Sequence, residues 1–257
     1  CYKRGIGVER NLEKSVEYFL ISAKLGFAAG QYNLGVAFLA GIGISKDYKK
    51  SVLWLEKAVK QDYATAFGAL GMCYRDGKGV TKNLIKGFEL TQIAASQGCV
   101  LFQYELGNCY YNGCGTKQNY KQAVYWYQIS ANQGCANAQF SLGNCYANGT
   151  GVRQNYKEAV YWYRKSANQG YAKAQNNLGN CYKYGNGCEK SLELAVDLFL
   201  KSSEQGNIKA FCNLAICYEE GTGVEKNFET AIAYYRKAAN QGDKFAEEKL
   251  MKLEQNK

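Results

Sequence analysis

The sequence predicts an all-α fold, a right-handed α-solenoid (α-α superhelix) of 36-residue helix-turn-helix repeats. Three columns of residues carry that prediction. Gly-x-Gly recurs at Gly5/Gly7, Gly41/Gly43, Gly77/Gly79, Gly113/Gly115, Gly149/Gly151, Gly185/Gly187 and Gly221/Gly223, each step 36 residues with no insertion. A second column runs Gly26, Asp62, Gly98, Gly134, Gly170, Gly206, Gly242, and a third Leu34, Leu70, Leu106, Leu142, Leu178, Leu214, Leu250. Columns this strict belong to repeats that bury their apolar faces against their neighbours.

Each repeat reads in order as helix A, a short turn, helix B and the Gly-x-Gly turn. Helix A opens on a residue whose side-chain oxygen can accept an orphan backbone N–H: Asn11, Asp47, Asn83, Asn119, Asn155, Ser191 and Asn227. Ala123, Trp126, Tyr127, Ser130 and Ala131 then fall on one face at helical spacing. Gly134 ends the helix in a left-handed conformation, and Asp62, in the same column, is a residue type that tolerates it. Helix B begins near Ala136 and carries Leu142, Gly143, Cys145 and Tyr146. A glycine within a helix costs about 1 kcal/mol against alanine. Its repetition at Gly35, Gly71, Gly107, Gly143 and Gly179 therefore implies a neighbouring helix too close for a side chain. Ala215 loosens that contact and Met251 abolishes it. Residues 1–257 read as one array of about seven repeats, with a partial unit at 1–10 and a charged capping helix at 243–257. The chain starts at Cys1 partway through the pattern, so it is expected to be a fragment, and its lack of a signal peptide says nothing about secretion.

Composition narrows the chemistry. There are no histidines among the 257 residues, which removes Ser–His and Cys–His nucleophiles and most zinc sites from this stretch. Net charge is +10, but 22 acidic residues are interleaved with 32 basic ones and no basic arm stands out. Apolar residues make up 47% without a run of about eighteen that could span a membrane. The Gly-x-Gly turns follow helices and are not followed by Lys-Ser/Thr, so they read as interhelical turns and not as phosphate loops.

The chain resembles the Sel1-like repeat family, relatives of tetratricopeptide repeats. The match lies in Ala159, Trp162, Tyr163, Ala167 and Gly170 of helix A, Ala174, Leu178, Gly179 and Tyr182 of helix B, and the Gly149-Thr-Gly151-Val152 turn. The resemblance covers the whole chain and implies an adaptor that scaffolds signalling, membrane-bound degradation or cell-wall synthesis, or that serves bacteria living with eukaryotic hosts. A cysteine-rich secreted branch of the family bridges its helices through cysteines eight residues apart. No such pair occurs among these eleven cysteines. Five of them form a ladder, Cys73, Cys109, Cys145, Cys181 and Cys217, whose rungs lie a helix-packing distance apart, about 8–10 Å. That exceeds the reach of a disulfide. Cys99 and Cys109, ten residues apart on one helix and so about 15 Å apart, are also too distant to bridge. Free thiols and a reducing, cytoplasmic compartment are expected, with a secreted, host-directed bacterial protein as the alternative the resemblance leaves open. Cys109/Cys114 and Cys212/Cys217 share a four-residue spacer, but no second pair follows at zinc-finger spacing, so no metal site is assigned.

The aromatic column Tyr18, Trp54, Leu90, Trp126, Trp162, Leu198, Tyr234 reads as core. The neighbouring column holds Glu17, Leu53, Glu89, Tyr125, Tyr161, Asp197 and Ala233 and reads as exposed. With Ala123, Trp126, Tyr127, Ser130 and Ala131 inward, the opposite stripe of helix A is Tyr125, Gln128, Ile129 and Asn132, then Tyr161, Arg164, Lys165 and Asn168 one repeat on. Aromatic anchors beside arginine are the usual composition of an interface hot spot. In tetratricopeptide-like arrays this stripe lines the concave surface, an expectation that comes from the resemblance. The sequence thus points to a non-catalytic, monomeric scaffold without a cofactor or nucleic acid, binding an acidic and apolar protein or peptide. Two alternatives stand beside it. A carboxylate enzyme on cell-wall glycan would need paired acids, and only the dispersed Glu56, Glu89 and Asp197 lie on the central stripe. A single-stranded nucleic-acid binder would need one basic or stacking column. The nearest, Lys57, Lys165, Lys201 and Lys237, is interrupted by Ile21, Ile93 and Ile129.

Overall fold

The computed structural model describes residues 2, 7 and 9–255. Cys1 and Gly5, and with Gly5 half of the first Gly-x-Gly turn, lie outside the described residues. Fourteen α-helices and no strand occur among them: α1 (Leu12–Lys24), α2 (Ala28–Ala40), α3 (Tyr48–Val59), α4 (Ala64–Asp76), α5 (Leu84–Ser96), α6 (Val100–Asn112), α7 (Tyr120–Asn132), α8 (Ala136–Asn148), α9 (Tyr156–Asn168), α10 (Ala172–Tyr184), α11 (Leu192–Ser203), α12 (Ile208–Glu220), α13 (Phe228–Ala239) and α14 (Lys244–Gln255). Odd-numbered helices through α13 are type A, and even-numbered helices are type B.

The caps lie where the sequence puts them. Asn11, Asp47, Asn83, Asn119, Asn155, Ser191 and Asn227 each accept a first-turn backbone N–H. Asp62 holds φ +56° where the other repeats have glycine. The two glycines of Gly-x-Gly do different work. The first ends helix B in the left-handed region, as Gly77 does at φ +70°. The second lets the turn settle on the start of the preceding helix A. A methyl group on Gly79 would lie 2.2 Å from the Tyr48 carbonyl oxygen, and one on Gly187 equally close to that of Tyr156. Both glycines are needed for reasons of backbone geometry and approach.

The chain forms two compact units, residues 1–130 and 131–257. In each, helix B packs more extensively on the helix A that follows than on the one before. The mid-helix glycines lie at that contact. In the first unit a methyl group on Gly35 would meet the Leu55 side chain at 2.8 Å, and one on Gly107 the Tyr127 ring at 2.5 Å. Between α4 and α5 the partner ring is replaced by Thr91, and Gly87 faces Gly71, so the two backbones close up instead: the methyl group would stand 2.9 Å from the Gly87 oxygen. In the second unit Gly143 lies under the Tyr163 ring and Gly179 under Phe199. Burial keeps Phe199 and Tyr235 wholly from solvent. Two of the tyrosine hydroxyls donate back to an asparagine of helix B, Tyr127 to Asn108 Oδ1 at 2.8 Å and Tyr163 to Asn144 Oδ1 at 2.7 Å.

A second, polar ladder was not legible in the glycine columns. Gln31, Gln139 and Gln175 are buried on helix B, and each accepts a 2.8 Å hydrogen bond from the glutamine that precedes the left-handed residue (Asp62, Gly170 or Gly206) after the next helix A: Gln61, Gln169 and Gln205. Ser166 and Ser202 donate to the carbonyls of Ala136 and Ala172, which open the helix B before them. These buried glutamines and serines are thus satisfied across successive repeats.

One expectation fails. Trp162 is only 4% exposed, and Trp54, Leu90, Leu198 and Tyr234 are partly buried, but Tyr18 is 53% exposed. Covered members pack on the helix pair of the preceding repeat: Trp54 on the α1–α2 core, Leu90 on α3–α4 and Leu198 on α9–α10. Tyr18 has no such pair ahead of it among the described residues and stacks on Tyr2 instead, with ring centroids 5.6 Å apart.

In the second unit α14 buries Ala246 on α13 and leaves Met251 62% exposed. Its Lys249 lies 2.9 Å from Glu219, which also accepts a 2.5 Å bond from the Tyr235 hydroxyl. Burial alone would raise the Glu219 carboxyl, but these two donors outweigh it and hold it below the usual carboxylate range. A carboxyl with a depressed folded value contributes stability above its unfolded value and loses it as pH falls through the folded one.

Two outcomes are expected. Gly143→Val forces a side chain into the Tyr163 ring and should destabilise by roughly 1–3 kcal/mol; an unchanged denaturant midpoint would refute the close contact. Docking of α14 should weaken as pH drops below about 4.5. Amide exchange along 244–255 should report this loss, and Glu219→Gln should flatten it.

Candidate partner-binding face

The eight stripe residues fall in both units. In the first, Tyr125 is 56% exposed and its ring stands edge-on to Trp126, 5.3 Å away. Gln128 and Ile129, from the same helix, are partly buried. In the second, Asn132 is exposed at the end of α7, and Tyr161, Arg164, Lys165 and Asn168 are all exposed on α9. The helical pattern places them there because Ala159, Trp162, Tyr163, Ser166 and Ala167 take the buried face.

Helix α9 brings four of these groups together. Tyr161 stands edge-on to Trp162 at 4.9 Å. Lys165 Nζ lies 4.6 Å above the Tyr161 ring and 5.0 Å above Trp162. Arg164 donates to the Tyr182 hydroxyl of α10 at 2.9 Å. The lysine is therefore a cation held over aromatic faces, and the arginine is braced before any partner arrives. The arrangement recurs: Lys57 lies 4.4 Å above Trp54 and Lys237 5.2 Å above Tyr234. An aromatic residue three positions before a lysine on a helix is the signal that could have revealed it. Where Leu198 replaces the ring, Lys201 pairs with Asp197 at 2.7 Å instead. That pairing engages one of the three stripe acids. Two open pockets lie away from the stripe. One, of ≈ 480 Å³, is lined by Arg75, Glu105, Asn108, Cys109, Asn112 and Cys114, and one of ≈ 430 Å³ by Tyr146, Arg153, Gln154 and Asn155.

The matches to a family model now place the chain. Sel1 repeats are found at residues 1–27, 28–63, 69–99, 100–135, 136–171, 172–207 and 209–243. The chain belongs to the Sel1 repeat family. Sel1 repeat proteins are generally protein-interaction scaffolds. No curated protein matches the chain significantly. Among solved structures it is similar to a protective antigen present in uropathogenic Escherichia coli strains (c5321). The two share 35% identity with a TM-score of 0.81 over 97% of this chain and 54% of that one. It is also similar to a Sel1 repeat protein from Oxalobacter formigenes, at 28% identity and a TM-score of 0.79, over 98% and 73% of the two chains. This Sel1 chain thus spans about half the length of the first of these relatives. An immunity protein of Pseudomonas aeruginosa, at 21% identity and a TM-score of 0.51, shares the fold.

The cysteine ladder is built into the Sel1 core. The ten described cysteines are free thiols, and Cys73, Cys109, Cys145, Cys181 and Cys217 are buried. Burial pushes Cys73, Cys145 and Cys181 up to about 11 and Cys109 up to about 12. Among the described residues no group of three or more Cys, Asp or Glu side chains is placed to hold a metal ion. At pH 8 a thiol reagent should therefore label the half-exposed cysteines first and the ladder slowly. The count should approach eleven per chain once the protein is denatured without reductant; a count near one would mean a bridged protein.

Proposed function

We propose that this Sel1 array is a non-catalytic scaffold that binds an acidic and apolar protein or peptide segment along the outward stripe of its A helices. The reading takes the array as monomeric and without a cofactor. The partner-facing set is Tyr125, Gln128 and Ile129 in the first unit, and Asn132, Tyr161, Arg164, Lys165 and Asn168 in the second. The observation that carries the reading is the α9 cluster: the exposed Tyr161 ring edge-on to the buried Trp162, a lysine over both and an arginine braced by Tyr182. Groups held in place before binding lose less entropy when a partner docks, and aromatic and arginine anchors dominate interface energetics. A carboxylate on the partner would meet Arg164 and Lys165, and an apolar side chain would meet Tyr161.

With a partner in hand, Tyr161→Ala and Arg164→Ala should each weaken binding by about 2 kcal/mol, roughly thirtyfold, with helix content unchanged. Lys117→Ala and Arg153→Ala, on the Gly-x-Gly side, should cost a few tenths of a kcal/mol, in the range of exposed charges. Calorimetry on the four variants decides. Loss of binding in the turn variants alone would move the partner to the other edge of the array.

A further inference from the structure

Two cysteine pairs in this chain share one sequence spacing and differ in geometry. Cys212 and Cys217 both lie within α12. Five residues along a helix rise about 7.5 Å, beyond the Cα separation that a disulfide spans. Cys109 and Cys114 straddle the end of α6. There Gly113 turns the chain back in the left-handed region, and the Cys114 N–H donates to the Cys109 carbonyl at 2.9 Å. This 6→1 bond closes a helix-terminating motif in which the side chains of the two bonded residues frequently touch. The bond brings Cys114 back to the last turn of α6 beside Cys109, close enough for Cys114 to act electrostatically on the Cys109 thiol.

Two further observations put the two side chains on the same side of the turn. Cys109 and Cys114 line the same open pocket of ≈ 480 Å³, with Arg75, Glu105, Asn108 and Asn112 around them. In the second unit, Cys217 and Thr222 occupy the columns of Cys109 and Cys114, and the buried Thr222 hydroxyl lies beside the Cys217 thiol. In that repeat the same turn brings these two side-chain positions into contact. Only in the Cys109 repeat do both carry sulfur; the position of Cys114 is Lys78, Thr150, Asn186 and Thr222 in other repeats.

We propose that Cys109 and Cys114 form a dithiol site for thiol–disulfide exchange with a low-molecular-weight disulfide admitted through the pocket they line. Cys114 is half-exposed and Cys109 is buried, which sets the order of events. The Cys114 thiolate attacks one sulfur of the incoming disulfide. That S–S bond breaks, a mixed disulfide forms on Cys114, and one small thiolate leaves. The departing thiolate takes the Cys109 proton, and Cys109 Sγ then attacks Cys114 Sγ, expelling the second small thiol. The net change is a protein dithiol oxidised to a disulfide and one small disulfide reduced to two thiols. Burial pushes the Cys109 thiol up, and the neighbouring Cys114 adds to this. Cys109 is accordingly unreactive toward the external disulfide and acts as the resolving partner. The bridge would pin the end of α6 to the turn that follows, leaving the ladder rungs in other repeats as thiols.

The test uses the full chain, oxidised glutathione as the probe, alkylation of the remaining thiols under denaturing conditions, and non-reducing peptide mass spectrometry. The expected result is a Cys109–Cys114 peptide lacking two hydrogens and protected from alkylation, while Cys212 and Cys217 are alkylated as free thiols. Cys109→Ser should accumulate a stable glutathione adduct on Cys114, because nothing resolves it. Cys114→Ser should leave Cys109 reduced. Either of two wild-type outcomes overturns the proposal: a glutathione adduct that persists on Cys114 without a bridge, or bridging of Cys212–Cys217 to the same extent. Circular dichroism on each variant separates a loss of exchange from a loss of folding.

Discussion

Everything in each unit depends on how closely helix B approaches the helix A that follows it. Glycine within helix B carries a conformational cost of about 1 kcal/mol, and five repeats accept it. What they gain is visible at Gly107, Gly143 and Gly179, where an aromatic ring lies flat against the bare backbone. The contact buries a large side chain, and where that side chain is Tyr127 or Tyr163 it brings the hydroxyl within reach of the asparagine one residue beyond the glycine. The α4–α5 pair shows that approach, and not the ring, is what the fold requires. With Thr91 in the ring's place, Gly87 appears opposite Gly71 and the two backbones close the gap. At the C-terminal end Ala215 and Tyr235 are both fully buried. There the Tyr235 hydroxyl reaches Glu219, and Glu219 in turn holds Lys249 of the final helix. One steric constraint therefore reaches from the core to the last helix through a chain of hydrogen bonds.

Much of this was legible because the sequence repeats its reasons. A cap, a left-handed position and a mid-helix glycine each have a local cause, and seven copies turn a weak signal into a strong one. Asp62 is the clearest instance: one non-glycine in a glycine column was enough to predict a left-handed backbone, which the structure holds at φ +56°. What escaped was non-local. Nothing in the Gly-x-Gly motif itself says that the second glycine rests on the first turn of another helix, since that contact spans 31 residues, from Gly79 back to Tyr48. The glutamine ladder spans 30 residues, Gln169 to Gln139, and joins two motifs that look like separate pieces of polar surface. Tyr18 was misplaced for a related reason. Its column is core where another repeat covers it, and no helix pair precedes Tyr18 among the described residues.

The stripe was legible in outline and not in detail. Helical periodicity separated Tyr161 from Trp162 and placed one outside and one inside, as the structure does. It did not show that Arg164 is tied to Tyr182, because that bond joins helix A to the next helix B. Nor did it show that the lysine column is folded down on aromatic rings. These details alter the chemistry of the face. An unbraced arginine would lose rotamer freedom on binding, whereas one held at 2.9 Å by a hydroxyl has lost part of it already.

The same detail bears on the net charge of +10. A single-stranded nucleic acid would need aromatic faces free for base stacking and a run of cations along its backbone. On these helices three rings carry a lysine: Lys57 lies over Trp54, Lys165 over Trp162 and Lys237 over Tyr234. The fourth lysine of the column is neutralised locally by Asp197. Each ammonium rests on a ring with its solvent side open, so it offers a point of contact to a carboxylate without offering the ring beneath it as a stacking platform. Tyr161 is the member left 48% exposed beside such a cation. For the scaffold proposed above, an apolar side chain next to an acidic one on an incoming segment would be the complement of that pair.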